Sequence, residues 1–130
     1  MSDGTLRDTL RITKALADVQ RVRILMLLQG GELCVCQIME VLGLAPSTVS
    51  KHLALLHAAG LVEVRKEGRW AYFQLPGGAA RAALRPLLHW LQTTLANDDA
   101  IASDAQKLRK VVACPPLKLA RQQRRRLGKT

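Results

Sequence analysis

Apolar positions recur with a helical period through most of the chain, and one short interval drops to a period of two. Leu6, Leu10, Thr13, Leu16 and Ala17 fall on or near one stripe, which predicts a first helix from Thr5 to Ala17. Asp18 has the character of an N-cap. From Val19 to Gln29, Val22, Leu25, Met26 and Leu28 continue at helical spacing until Gly30-Gly31 stops a second helix. Cys34 to Leu42 predicts a short third helix with Ile38, Val41 and Leu42 apolar. Gly43-Leu44-Ala45-Pro46 makes a turn, Pro46 suits an early helical position, and Val49, Leu53 and Leu56 mark a fourth helix up to Gly60. Leu61 to Arg65 and Trp70 to Leu75 then alternate as strands around a basic tip, Lys66-Glu67-Gly68-Arg69. Beyond Pro76-Gly77-Gly78, Leu84, Leu87, Leu88, Leu91 and Leu95 predict a fifth helix that Pro86 either kinks or begins. Asn97-Asp98-Asp99 interrupts, and Ala100 to Val112 predicts a last helix before Pro115-Pro116.

The order ααααββαα describes a mainly α protein with a small β-hairpin. Helix, turn, helix and hairpin in that sequence make a winged helix-turn-helix, in which the second helix of the motif enters the major groove and the hairpin reaches the flanking backbone. Ser47, Thr48, Ser50, Lys51 and His52 cluster at the start of the fourth helix, where hydroxyls and cations suit base edges and phosphates. Lys66 and Arg69 add charge at the wing tip. Helix capping accounts for one of these residues, not for the whole group. The expected partner is double-stranded operator DNA.

Composition sharpens this picture. Apolar residues are 48% of the chain but aromatics only 3%, so the core must be built from Leu, Ala, Val and Ile. One domain of 130 residues leaves much surface uncovered, and the leucine stripe of the fifth helix together with the first helix suits a homodimer interface. The net charge of +10 is uneven: Lys118, Arg121, Arg124, Arg125, Arg126 and Lys129 supply six charges with no acid among them, leaving +4 on the rest. We therefore divide the chain into a domain over 1–112 and a flexible basic tail over 113–130, which attracts phosphate nonspecifically. No apolar run reaches the ~20 residues needed to span a bilayer, and Met1-Ser2-Asp3-Gly4 lacks the features of a signal peptide, so a cytoplasmic protein is expected. Three cysteines, an odd number, do not suit a disulfide framework.

Four segments together carry a family resemblance: Leu16-Ala17-Asp18-x-x-Arg21-x-Arg23-Ile24-Leu25, Glu32-Leu33-Cys34-Val35-Cys36, Ser47-x-x-Ser50-x-His52-Leu53 and Ala59-Gly60-Leu61-Val62. Between Leu6 and Leu75 the chain resembles the ArsR/SmtB metalloregulatory repressors, and Glu-Leu-Cys-Val-Cys resembles their arsenic- and cadmium/lead-responsive branches. The resemblance implies a homodimeric winged helix that binds an operator, releases it when a metal or metalloid binds, and represses its own resistance operon. It also marks departures. The arsenic branch would place a third cysteine where this chain has Met39, and the cadmium/lead branch adds cysteines before Cys34, where this chain has none. A branch that binds zinc or nickel uses Asp and His on the dimer helix, where this chain offers only His89.

Within that resemblance, trivalent arsenic or antimony is the expected inducer, held by thiolates of Cys34 and Cys36 and, as the only spare thiol, Cys114. No permanent cofactor is expected. On an ideal helix residues two apart point about 200° away from each other, so one ion joins Cys34 and Cys36 only if the third helix starts irregularly or unwinds. Other readings of the pair remain: small buried hydrophobes, a thiol-based redox or cadmium/lead sensor, or a thiol-exchange enzyme. The enzyme is disfavoured by the lack of a paired acid and base, a phosphate-binding glycine loop or a Cys-x-x-Cys motif.

Overall fold

The computed structural model describes residues 5–128; Met1 to Gly4 and Lys129, which entered the sequence reading, lie outside the described residues. The helices are α1 (Thr5–Leu16), α2 (Val19–Leu28), α3 (Val35–Leu42), α4 (Pro46–Ala58), α5 (Gly78–Thr94), α6 (Asp99–Val112) and α7 (Pro116–Gly128). The strands are β1 (Leu33–Cys34), β2 (Glu63–Glu67) and β3 (Trp70–Gln74). Asp18 caps α2 as its sequence position suggests, its carboxylate accepting from the backbone N–H of Gln20 at 2.8 Å. Pro46 occupies the first turn of α4. The wing turns through Gly68-Arg69, with Gly68 at φ +60°, the left-handed backbone that glycine adopts without a Cβ penalty.

Two elements depart from the expected order. Leu33 and Cys34 form a strand that pairs antiparallel with Phe73 and Tyr72, giving a three-stranded sheet of order β1-β3-β2. Two residues are too short for an alternating pattern to reveal. The segment read as a flexible basic tail forms α7 over Pro116–Gly128, with Leu119 only 3% exposed in the core. One buried leucine among arginines leaves almost no apolar periodicity, so the helix was not legible. Smaller differences follow the same logic. Cys34 precedes α3 instead of opening it, Lys66 and Glu67 belong to β2 instead of the turn, and Pro86 lies inside α5 on an exposed face, where the carbonyl it leaves unpaired reaches water.

The core is formed where α2, α3 and α4 meet. Ile24, Leu25 and Leu28, Ile38 and Val41, Val49, Leu53 and Leu56 are all essentially inaccessible, joined by Leu61 and Val62 before the wing. The leucine stripe of α5 divides. Leu84, Leu88 and Leu91 are buried in the protomer's own core, whereas Leu87 and Leu95 are half-buried and Trp90 is 58% exposed. Leu87, Trp90 and Leu95 line one surface groove with Thr13 and Leu16 of α1, and Leu6 and Leu10 of that helix are 75% and 52% exposed, so both helices leave apolar surface uncovered.

A buried ion pair fastens α6 to α2. Arg23 donates through Nε and Nη2 to the two carboxylate oxygens of Asp104, each at 2.8 Å, and the Asp104 side chain is 5% exposed. The hydrogen bond and the adjacent charge raise the pKa of the guanidinium. Removing one partner leaves the other charge buried and uncompensated. Asp104→Ala is expected to lower stability by about 3 kcal/mol, read as a lower urea midpoint at constant slope, while replacing both residues by apolar ones of similar volume loses much less.

Candidate functional site

The thiol pair lies at a junction between strand and helix. Cys34 ends β1 with extended backbone, φ −71° and ψ 148°, and is the N-cap of α3. Its backbone N–H donates to Gln37 Oε1 at 2.8 Å, and its sulfur faces the N–H groups of α3's first turn, a reciprocal capping box. Cys36 lies within that turn. Because Cys34 is outside the helix, the divergence expected for an ideal helix does not arise: the two Sγ atoms are 2.9 Å apart, with the Cys36 thiol donating to Cys34. Both residues are buried, at 1% and 6% exposure. The bond from Cys36 lowers the Cys34 pKa to about 6, assisted by the Cys36 and Gln37 N–H groups and opposed by burial. The same bond, burial and the Cys34 charge push the Cys36 thiol up. The contact thus favours charge on Cys34 and disfavours it on Cys36, without unwinding α3.

Each sulfur belongs to a different element. Cys34 faces Tyr72 of β3, a wing strand, and Cys36 belongs to α3, which packs on α4. The wing is tied to β1 by charge as well: Arg65 donates to both carboxylate oxygens of Glu32, at 3.0 and 2.7 Å, and its guanidinium lies 4.6 Å from the Tyr72 ring centre. On its other side α3 carries α7. Gln123 Nε2 donates to the Cys36 carbonyl at 2.8 Å, Arg126 donates to Glu40 at 2.7 Å and lowers that carboxyl's pKa, and the Pro116 carbonyl lies 4.0 Å from Cys36 Sγ. Cys114, two residues before Pro116, is half-buried against the core. Among the described residues no group of three His, Cys, Asp or Glu side chains is arranged to hold a metal ion, so Cys34 and Cys36 are brought together and Cys114 stands on the neighbouring segment.

The candidate nucleic-acid surface is α4 and the wing. Ser47, Thr48, Ser50 and Lys51 are exposed at the start of α4, and Lys66 and Arg69 are exposed on the hairpin, Arg69 lying 5.0 Å from the Trp70 ring centre. His52 differs. Its side chain is 14% exposed, and Nδ1 lies 3.3 Å from Arg21 Nη1 and 4.0 Å from Asp18 Oδ1. Donation from Arg21 requires Nδ1 to be the acceptor, which places the ring proton on Nε2 in the neutral tautomer. Arg21 also donates to the carbonyls of Ala15 and Lys14, so it joins the end of α1 to α4. Sequence reasoning missed Arg21, Arg65, Glu32 and Gln123 as positioning groups, because their partners are distant along the chain and no local spacing announces them.

Comparison with known proteins finds regulators of similar sequence and fold. Residues 18–64 match the family described as bacterial regulatory protein, arsR family. The arsenic resistance transcriptional regulator ArsR2 of Pseudomonas putida KT2440 is 35% identical over 107 residues, covering 80% of this chain and 89% of the relative. The arsenical resistance operon repressor of Escherichia coli K12 is 42% identical over 67 residues, covering 51% of this chain; the chain thus spans less than two-thirds of that relative, 57%. Among solved structures, the homodimeric winged helix-turn-helix DNA-binding domain Mb0332 of Mycobacterium bovis superposes with a TM-score of 0.58 and 32% identity over 75% of this chain and 94% of that one.

The shift at Cys34 has a definite sign. A Cys34 thiol whose folded pKa is about 6, against an ordinary 9.0, adds stability as pH rises from 6 toward 9 and loses it as pH falls through 6; above 9 the raised pKa of Cys36 works the other way, because the unfolded chain then ionises both thiols. In a Cys114→Ser background, thiolate absorbance is expected to titrate with a midpoint near pH 6, and Cys36→Ala, which removes the donor, is expected to move the midpoint upward. A midpoint unmoved by Cys36→Ala would show that the sulfur-sulfur contact does not set the charge.

Proposed function

The chain belongs to the ArsR family of bacterial regulatory proteins, and on that premise we propose that it is an operator-binding repressor released when trivalent arsenic or antimony binds Cys34 and Cys36. Family and fold make it a winged-helix, DNA-binding transcriptional regulator and not an enzyme. The observation that carries the inducer reading is the buried sulfur pair at 2.9 Å, in which the contact lowers the pKa of Cys34. Two soft donors this close favour a thiophilic ion over hard cations. Arsenite loses one hydroxyl as water for each sulfur it gains, the proton for that water coming from the thiol at Cys36 and from solvent where Cys34 is already ionised; arsenic stays trivalent, so no oxidant is needed. The repressor homologue in E. coli and the arsenic regulator in P. putida support this choice.

Bridging the two sulfurs ties β1, and with it the wing sheet, to the first turn of α3, which packs on α4. Geometry that suits DNA is then disfavoured in both elements. An allosteric coupling of about 1 to 3 kcal/mol weakens operator binding severalfold to a hundredfold. Cys114 completes a three-sulfur set if the segment around Pro115 and Pro116 moves toward Cys36, from which the Pro116 carbonyl is already 4.0 Å. The operator face comprises Ser47, Thr48, Ser50, Lys51, Lys66 and Arg69, with His52 held by Arg21 to present Nε2–H. Such a regulator acts in the cytoplasm, and no described helix is long and apolar enough to cross a membrane. A redox-sensing reading has one observation in its favour, the same sulfur contact, but a disulfide between residues two apart is strained.

Cys34→Ser and Cys36→Ser should each keep operator binding and lose release by arsenite in a gel-shift titration, because a hydroxyl preserves shape but is a harder ligand. Cys114→Ser should weaken the response to arsenite and spare a methylated trivalent arsenical, which has two positions for thiols. Normal arsenite release by either Cys34→Ser or Cys36→Ser would refute the inducer assignment. For the homodimer, the uncovered face of α1 and α5 supplies the interface: sedimentation at micromolar concentration should give a dimer for the native chain and a monomer for Trp90→Asp, whereas a native monomer would refute it.

A further inference from the structure

Helix α7 carries Lys118, Arg121, Arg124 and Arg125, all exposed and with no acidic residue in the helix. It is not remote from the DNA face. Ala120, Gln123 and Arg124 of α7 line one surface groove with Pro46, the first residue of α4, and with Arg69 and Trp70 of the wing. Arg124 and Arg69 thus flank the same groove beside the recognition helix. Arg121 lies one turn before Arg124 on the same side of α7, since residues three apart are neighbours on a helix surface. Its opposite side is occupied: Leu119 is buried, Gln123 is bonded to the Cys36 carbonyl and to Glu40, and Arg126 is paired with Glu40. The cations left over point away from α3 and have no carboxylate partner of their own on α7.

We propose that α7 is a third DNA-contacting element, in which Arg121 and Arg124 hold the phosphate backbone of the operator where it runs beside the wing tip. Duplex phosphate is the occupant these observations favour: the side chains are arginines, the groove adjoins the first turn of α4, and Arg69 on its other wall is part of the proposed operator face. The contact is to phosphate and carries no base information, so it raises affinity on any sequence and sharpens the salt dependence.

The proposal rests on the DNA-binding role of α4 and the wing, and the test separates the two. Binding of the full chain to its own promoter fragment is measured from low to moderate salt. Arg121→Gln with Arg124→Gln should reduce the slope of log affinity against log salt by about 0.9 for each phosphate contact removed, or about 1.8 per protomer. Arg121→Lys with Arg124→Lys, which keeps the charges, should restore most of the slope. Lys107→Gln with Lys110→Gln, removing equal charge from α6, should leave it unchanged. An unaltered slope in the α7 glutamine variant, or an equal loss in the α6 variant, overturns the proposal. If Ser50→Ala with Lys51→Ala still loses operator binding in that event, the recognition-helix reading stands while the α7 contact falls.

Discussion

The extended backbone of Cys34 is the constraint on which the rest of the molecule depends. One residue ends the strand that joins the wing sheet, caps the helix that packs on the recognition helix, and brings its sulfur to 2.9 Å from Cys36. Had Cys34 been the first residue of the helix proper, the two sulfurs would diverge and no single ion could reach both without local unfolding. The protein instead meets the geometric requirement of a two-sulfur ligand in its resting fold. On the proposed reading, chelation need not melt a helix, because both sulfurs already face each other across the junction of β1 and α3.

Polar ties carry that relation outward. Arg65, spanning Glu32 and Glu67 and stacked on Tyr72, binds the strand of Cys34 to the wing. Arg21 binds the end of α1 to His52 on the recognition helix, and Gln123 binds α7 to the carbonyl of Cys36. These contacts are partly exposed, so each is modest in energy and able to rearrange. The Arg23–Asp104 pair differs in being buried and bidentate, and it anchors α6 to α2 away from the sulfur pair. A close-packed apolar core thus carries partly exposed polar ties around the sulfur pair.

The sequence made the helical scaffold legible because Leu25, Leu28, Ile38, Val41, Val49, Leu53 and Leu56 repeat at helical spacing and are indeed buried. Asp18, Pro46 and Gly68 announced their cap, helix start and turn by local chemistry. The pentapeptide around Cys34 pointed to the thiol site, but not to its geometry, since two-residue β1 is formed by pairing with Tyr72 and Phe73 some forty positions away. For the same reason α7 escaped notice: Leu119 and hydrogen bonds to α3 hold it, and neither leaves a periodic trace. His52 was legible as part of the DNA-binding helix, yet its bond to Arg21 depends on tertiary approach. The leucines of α5 were legible as a stripe, but which of them face inward was decided by packing against the rest of the core.

If the buried sulfur pair itself transmits the proposed signal to the DNA-binding face, fully reduced protein bound to its own promoter fragment should distinguish arsenite, antimonite, cadmium, zinc and peroxide when challenged with each separately. Arsenite and antimonite are expected to release the DNA in the presence of excess reductant, with zinc ineffective. Release by peroxide alone, reversed by reductant, with no response to arsenite, would contradict that expectation.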